Sequence, residues 1–558
     1  MGDMEKRLVI FLVLSVAIVS LFTWFSPAPA PKPPAPASPT TAGPTAAGSS
    51  PSSSAATPAP PGSAPAAASA TSGAAPLAQA AETVTIDTPL YRATLTTAGG
   101  VLTRWELKQY TETVKNSDPV VLYPPMDHPS VSAPLSIEIP GVDPILLNET
   151  SYRLEGGNAQ LTKERPSTQL RFTATIPLQN GSGRTVVVEK ALRFHSDTYR
   201  VDLTVKVDGI SAPYHITLGD SFGLHKPVTQ QQGFIGHRGA VSMIGTELVL
   251  DKPDKLPSPT VSHTGDVRWT ALEGKYFVAA LIPTMPLGEV TVSKRETTGI
   301  SAAVALPPGQ PQELALYAGP KEYKALTALQ AGLEQTIDFG WFMFWSLTLV
   351  RFIAKPLFLL LQFLHGYTHN YGVAIIMVTA LLKLLFVPLT HKSYTSMKAM
   401  QALQPKMAEL QKKYKDDKER FNREMFDLYR TYKVNPMGGC LPMLLQIPVF
   451  VAFFNILYTT IELRHAPFIG WIHDLSDKDP YYILPVIMGV TMFIQQKIQP
   501  SAMDPRQAKL MLIMPVIFTF FFLTFPSGLV LYWLINNLLT ILQQYVTIKL
   551  QPAPATSK

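Results

Sequence analysis

Residues 371–390 read YGVAIIMVTALLKLLFVPLT, an apolar run of bilayer-spanning length that carries one charge, Lys383. At 1.5 Å per residue, Lys383 falls roughly 18 Å inward from Tyr371, well inside a hydrocarbon core about 30 Å thick. An ammonium at such depth costs about 2.5–3.5 kcal/mol on insertion scales, so it should face a wet cavity or a partner and not acyl chains. Snorkelling to the near interface would need about 12 Å, more than a lysine stem bridges. Thr379 lies one turn above Lys383 on the same face.

Three further apolar segments follow, at 437–459, 481–498 and 510–545. The last is too long for one crossing, and Pro526-Ser527-Gly528 divides it into two short helices joined by a tight turn. In its second half Trp533, Asn537, Thr540 and Gln544 recur at spacings of 4, 3 and 4, a polar stripe on one helix face. Gln446 lies near the inner end of the 437–459 span. None of these late spans offers a carboxylate to Lys383, and an unpaired cation in a polar cavity suits an acidic group brought by something else.

Upstream, Lys6 and Arg7 precede an uncharged apolar run from Leu8 to Phe25, read as an uncleaved transmembrane anchor over residues 1–25. Residues 26–81 form a Pro/Ala-rich disordered tether, with 14 prolines and the single charge Lys32 between 26 and 80. From 82 to 320 short runs with period-two alternation dominate, among them Tyr91 to Thr96, Gln169 to Ile176, Thr185 to Phe194, Tyr199 to Val207, Tyr276 to Ile282 and Glu289 to Ser293. These predict one large antiparallel β-sandwich. Its histidines and acids show no metal-ligand or triad spacing, so each is expected in a satisfied surface role.

Residues 341–364 are apolar but interrupted by Arg351, Lys355 and Pro356. Thr348, Arg351, Lys355 and Gln362 share one face, which predicts an amphipathic interfacial helix within 321–366. Charge supports that reading. The segment 391–435 holds eleven Lys or Arg against six acids, while 460–480 holds two against four. With the first inside and the second outside, the positive-inside rule is obeyed, and Lys497, Arg506 and Lys509 again fall inside. Both termini are then cytoplasmic and the β-domain lies outside, in the periplasm where two membranes exist. Within 391–435, Met397, Met400, Met407 and Leu410 line one helix and Phe421, Met425, Leu428 and Tyr432 another, with a turn at Lys415-Asp416-Asp417: a cytoplasmic helical hairpin.

Composition excludes several classes. Only 16% of the 558 residues are charged, against roughly 25% in soluble proteins, and 46% are hydrophobic. The net charge of +7 sits beside apolar segments, which favours a membrane face over nucleic acid. Cys440 is the single cysteine, so no intramolecular disulfide forms and, with no cysteine directly following the first apolar run, a lipoprotein anchor is not expected. There is no Walker-type glycine loop for ATP.

The runs Asn435-Pro436-Met437-Gly438-Gly439-Cys440-Leu441-Pro442, Pro480-Tyr481-Tyr482-Ile483-Leu484-Pro485 and Phe525-Pro526-Ser527-Gly528-Leu529, with the junction Tyr317-Ala318-Gly319-Pro320-Lys321, resemble the YidC family of membrane protein insertases in its Gram-negative form. The resemblance implies a polytopic α-helical bundle of six spans, five in a conserved core at 367–548, plus a periplasmic all-β supersandwich similar to sugar mutarotases. It implies a non-enzymatic insertase and chaperone of the inner membrane, working alone or with the Sec translocon on nascent inner-membrane proteins, in contact with lipids and without cofactor or metal. A hydrophilic groove open to the cytoplasm would be lined by Lys383, Thr379, Gln446, Trp533, Asn537, Thr540 and Gln544, and an apolar slide for the client helix by Phe450, Phe521 and Tyr532. Bacterial relatives usually carry arginine where Lys383 stands, so charge is kept and bidentate pairing lost. Ribosome or signal-recognition-particle docking would fall to 391–435; in the tail at 549–558 only Lys549 and Lys558 are basic. Two rivals are a secondary transporter using Lys383 for an anion, which predicts an inverted repeat not seen here, and a membrane-anchored sugar-modifying enzyme, which needs clustered acids or histidines in 82–320.

Overall fold

The computed structural model describes residues 81–550 except 115–116, 125–132, 178–184, 225–236, 296–298, 343–344, 347, 416, 433, 435–440 and 499–511. The expected anchor at 1–25, all but the end of the tether, Asn435 to Cys440, Arg506, Lys509 and the tail beyond 550 lie outside the described residues.

The alternating runs between 83 and 320 do form strands. Arg200–Asp208 shows the pattern at its simplest: Val201, Leu203, Val205 and Val207 are buried while their neighbours are not. The strands form a five-stranded and a thirteen-stranded sheet whose buried faces share one core. Pairing is antiparallel throughout except between Thr83–Asp87 and Ala159–Gln160, where Ile86 meets Ala159 in parallel, a departure from the expected all-antiparallel sandwich. Two short helices accompany the sheets, α1 (Pro144–Glu149) and α2 (Tyr323–Ala328).

Two buried polar features in this region went unread in the sequence. Lys190 is wholly buried, and its Nζ donates to the carbonyls of Gly99 (2.9 Å), Gly100 (3.1 Å) and Leu135 (2.8 Å). All three acceptors have positive φ, 68°, 55° and 70°, so three left-handed residues, two of them adjacent, aim their carbonyls at one ammonium. Burial pushes Lys190 down to about 7. The second feature corrects the surface role expected of every histidine. His237 Nδ1 lies 2.8 Å from Glu273 Oε1, Lys321 Nζ donates to Glu273 Oε2 at 2.7 Å, and all three side chains are buried.

The helical part begins with α3 (Thr348–Thr368), whose expected polar stripe is spent on neighbours. Arg351 lies 3.4 Å from Asp338, Lys355 lies over the Tyr323 ring, and Gln362 Nε2 donates to Glu462 Oε1 at 3.1 Å. Its apolar face, including Ala354, Phe358 and Leu361, is buried. Length and hydropathy alone would let α3 cross a membrane, as they would two other described helices, α4 (Tyr371–Ala402) and the one that begins at Ser527.

Asn370 caps α4 by accepting from Val373 N at 3.1 Å. The expected end of this helix near Thr390 does not occur. From His391 to Ala402 no Gly or Pro interrupts it, and a run of charges changes what surrounds a helix without breaking its backbone. Met397 and Met400 therefore belong to α4, and the chain turns only at Leu403, where Pro405 opens α5 (Gln404–Lys413). The second arm is α6 (Lys418–Thr431), capped by Asp417; Lys406 bonds the Tyr432 hydroxyl across the pair.

The remaining helices are α7 (Leu441–Thr459), α8 (Ile483–Ile498), α9 (Met514–Phe522) and α10 (Ser527–Leu550). The turn expected at Pro526-Ser527-Gly528 is present, and it is clamped. Ser527 N donates to Asp477 O at 2.7 Å, and its Oγ reaches Asp474 O and Asp477 O. Gly528 N donates to Leu475 O at 2.9 Å, and a Cβ there would sit 3.1 Å from that oxygen. The same 460–480 segment caps α8: buried Asp479 accepts from Trp471 Nε1 (3.0 Å), Tyr481 N (3.0 Å) and Leu484 N (2.7 Å). It also meets the β-domain, where Arg464 donates to Thr111 O and Glu112 O.

Candidate functional site

Helices α4, α7, α8, α9 and α10 enclose a half-open cavity of about 480 Å³. Two of these helices, α8 and α9, approach closely at Gly489, where a Cβ would collide with Thr519 Oγ1.

Lys383 projects into this cavity from α4. Its Nζ donates to Thr540 Oγ1 of α10 at 2.6 Å, and no carboxylate lies within ion-pair distance among the described residues. The Thr540 hydroxyl in turn donates to Asn536 O at 2.6 Å, one turn back. Of the other residues predicted to line the groove, Gln446, Trp533, Asn537, Thr540 and Gln544 do so, together with Phe450 and Tyr532. Gln446 Nε2 donates to the Tyr532 hydroxyl at 2.9 Å, tying α7 to α10, and Asn537 Nδ2 donates to Thr491 Oγ1 of α8 at 3.4 Å.

Two predicted residues stand elsewhere. Thr379 is buried, does not line the cavity, and donates its hydroxyl to Ile375 O of its own helix at 2.6 Å. Phe521 is 59% exposed and packs on Phe525 with ring centroids 4.7 Å apart. An aromatic chain nevertheless links Phe521 to the cavity: Phe521 to Phe522 at 5.8 Å, Phe522 to Trp533 at 5.2 Å, Trp533 to Phe450 at 4.8 Å. Tyr532 is 2% exposed and stacks on Phe453 at 4.5 Å, so it forms floor and not open surface.

The cavity also holds polar residues that the stripe did not include: Thr390, Ser393, Gln495, Gln496, Asn536, Gln543 and Thr547. Asn536, Gln543 and Thr547 belong to a second stripe on α10, adjacent to the first and bridged by Thr540, at the same 3 and 4 spacing. Reading the polar face as two stripes wide would have found them. The doublet Gln495-Gln496, at the end of an apolar span, was a comparable signal.

Residues 83–360 match the family model described as the YidC periplasmic domain, and residues 363–554 match that described as the 60Kd inner membrane protein. A protein of Syntrophus aciditrophicus (strain SB) named membrane protein insertase YidC is 42% identical over 554 residues, covering 97% of this chain and 99% of its own. One of Geotalea daltonii bearing the same name is 41% identical over 563 residues, covering 99% and 100%. Among solved structures, an active YidC insertase with its first transmembrane domain resolved aligns over 82% of this chain and 91% of its own, at 18% identity and a TM-score of 0.36. A galactose mutarotase-like protein from Lactobacillus casei ATCC 334 aligns over 43% of this chain and 100% of its own, at 11% identity and a TM-score of 0.27.

Proposed function

The chain belongs to the YidC family of membrane protein insertases, and on that footing we propose that the cavity around Lys383 is the entry through which client proteins reach the inner membrane. The single observation that carries the proposal is an ammonium inside an apolar bundle whose one hydrogen-bond partner among the described residues is the Thr540 hydroxyl. A charge so placed is costly unless an anion visits it. Acidic residues of a short translocating segment would rest at Lys383 while the client's apolar helix leaves into lipid past Phe450, Trp533 and Phe521. Transfer of that helix drives the process at about 25 cal/mol per Å² buried, assisted by the membrane potential. No bond is made or broken.

In this reading the membrane core at 367–548 contributes five spans and the segment at 8–25 a sixth. The helix α3 lies at the interface, since each residue of its polar stripe that bonds does so to Asp338, Tyr323 or Glu462. The β-domain at 82–320 is periplasmic, both termini are cytoplasmic, and the 391–435 hairpin offers a docking surface for ribosome or targeting factor. The Sec translocon is a second partner.

The test is depletion of the chain followed by insertion assays on a small two-span client, with a crosslinker at Thr540. Crosslinks from Thr540 to nascent chains, and an insertion defect on depletion, are expected. A client that inserts normally without the chain and never crosslinks to Thr540 refutes the reading.

A further inference from the structure

Hydrogen-bond donors and acceptors along the groove do not balance. Thr390, Thr491 and Thr540 each spend their hydroxyl proton on a carbonyl of their own helix: Phe386 O at 2.9 Å, Met488 O at 2.7 Å and Asn536 O at 2.6 Å. A hydroxyl so used can only accept from its next partner, which fixes the polarity of that bond without relying on the assignment of amide atoms. Gln543 must therefore donate its NH2 to Thr390, and Asn537 its NH2 to Thr491. Lys383 likewise must donate to Thr540.

The consequence is a row of acceptor oxygens along one helix. Gln544 Oε1 is buried with no donor among the described residues, on a residue 8% exposed, and Asn537 and Gln543, whose NH2 groups are spent on Thr491 and Thr390, keep their oxygens for a further partner. A buried carbonyl without a donor is costly, and in a native site it signals a group supplied from outside. The three oxygens lie within a seven-residue separation along one helix, about 10 Å, and the lining along α10 runs from Tyr532 to Thr547, about 22 Å. That length holds about six residues of extended chain at 3.3–3.6 Å each. The missing donors must be neutral, because Lys383 lies in the same cavity and repels a second cation.

Resting on the insertase reading above, we propose that the groove recognises the main chain of an extended client segment. Peptide N–H groups of the client donate to the side-chain oxygens of Asn537, Gln543 and Gln544. Lys383 remains for a client carboxylate or carbonyl. Bringing an unfolded segment into a low-dielectric bundle strands its peptide groups at several kcal/mol each, and a row of carboxamide oxygens relieves that cost for any sequence. Recognition of the client is then chiefly by backbone, with side-chain charge as a second and separable contribution.

The experiment uses the full chain in proteoliposomes and a two-span client, made by cell-free translation, whose translocated segment has no acidic residue. Single alanines in that segment are replaced by lactic acid, which exchanges the N–H for an ester oxygen and keeps the side chain. Esters at central positions should slow insertion by about 2- to 10-fold per N–H deleted, the worth of one net hydrogen bond. Passage through bare lipid predicts the opposite sign, since an ester dehydrates more readily than an amide. In Gln544→Met the amide client should slow and the ester penalty should shrink; Asn537→Leu serves as the second variant, each checked for an unchanged melting profile. Equal rates for amide and ester clients in the wild-type chain overturn the proposal, as does an undiminished ester penalty in both variants. Failure of the insertase reading looks different: the all-amide client then inserts equally well into liposomes with and without the protein.

Discussion

Lys383→Met should move stability and function in opposite directions. Holding the ammonium at its depth costs about 2.5–3.5 kcal/mol, and the 2.6 Å bond to Thr540 returns about 1.5–3 kcal/mol, as charged hydrogen bonds do. With no carboxylate partner among the described residues, nothing further offsets the cost. Methionine, of similar length and apolar, should leave the fold unchanged or firmer by up to about 2 kcal/mol. A client carboxylate bonded at Lys383 would gain about the same 1.5–3 kcal/mol, so its loss should slow an acidic client by about 10- to 150-fold. A client with the acid replaced by its amide should lose far less. The assay pairs thermal melting in detergent with insertion of matched acidic and neutral clients into proteoliposomes. Two results would refute the reasoning: a variant destabilised by several kcal/mol, meaning that Lys383 has an internal partner, or equal losses for both clients.

Lys190 provides a pH test in the β-domain. Its folded value, about 7, lies below the ordinary lysine value near 10.5, so between the two the unfolded chain holds the extra proton. Stability should therefore rise with pH across roughly 7 to 10.5, by up to about 1.4 kcal/mol per unit, with the full burial penalty felt below 7. Denaturant titrations of the full chain, followed by fluorescence of buried Trp105 and Trp269, should show that slope, and Lys190→Met should flatten it. Gly489→Ala should cost about 1–3 kcal/mol by overpacking, because Thr519 can yield only by giving up its bond to Pro515 O. A melting temperature equal to wild type would show that α8 and α9 are not in contact there. Asp479→Ala strands three donors in a buried site and should cost about 3 kcal/mol or more, with Asp479→Asn recovering part of it. Trp471 emission and melting report both, and an unaffected Ala variant would remove the cap from the account of α8.

Much of the cavity's lining was legible because a helix advertises its polar face in its own spacing. Trp533, Asn537, Thr540 and Gln544 line the cavity as the stripe predicted, and the turn at Ser527 and Gly528 interrupts an apolar run too long for one crossing. Thr379 shows the limit of that argument. It shares the face of Lys383 yet is buried away from the cavity, because spacing says which residues point together and not what stands opposite them. The unbroken α4 was missed for a related reason, since polarity changed at His391 while backbone propensity did not.

Within this chain, local pattern alone established the β-region, the apolar helices and one lysine too deep to be at ease. Only the packed structure set Lys383 against Thr540, 157 residues away, gathered three left-handed residues around Lys190, and left the buried oxygen of Gln544 without a donor among the described residues. Periodicity is a property of one element and is written along it. Which hydrogen bonds are met, and which stay open, depends on distances between elements far apart in sequence, fixed only when the helices and sheets close on each other.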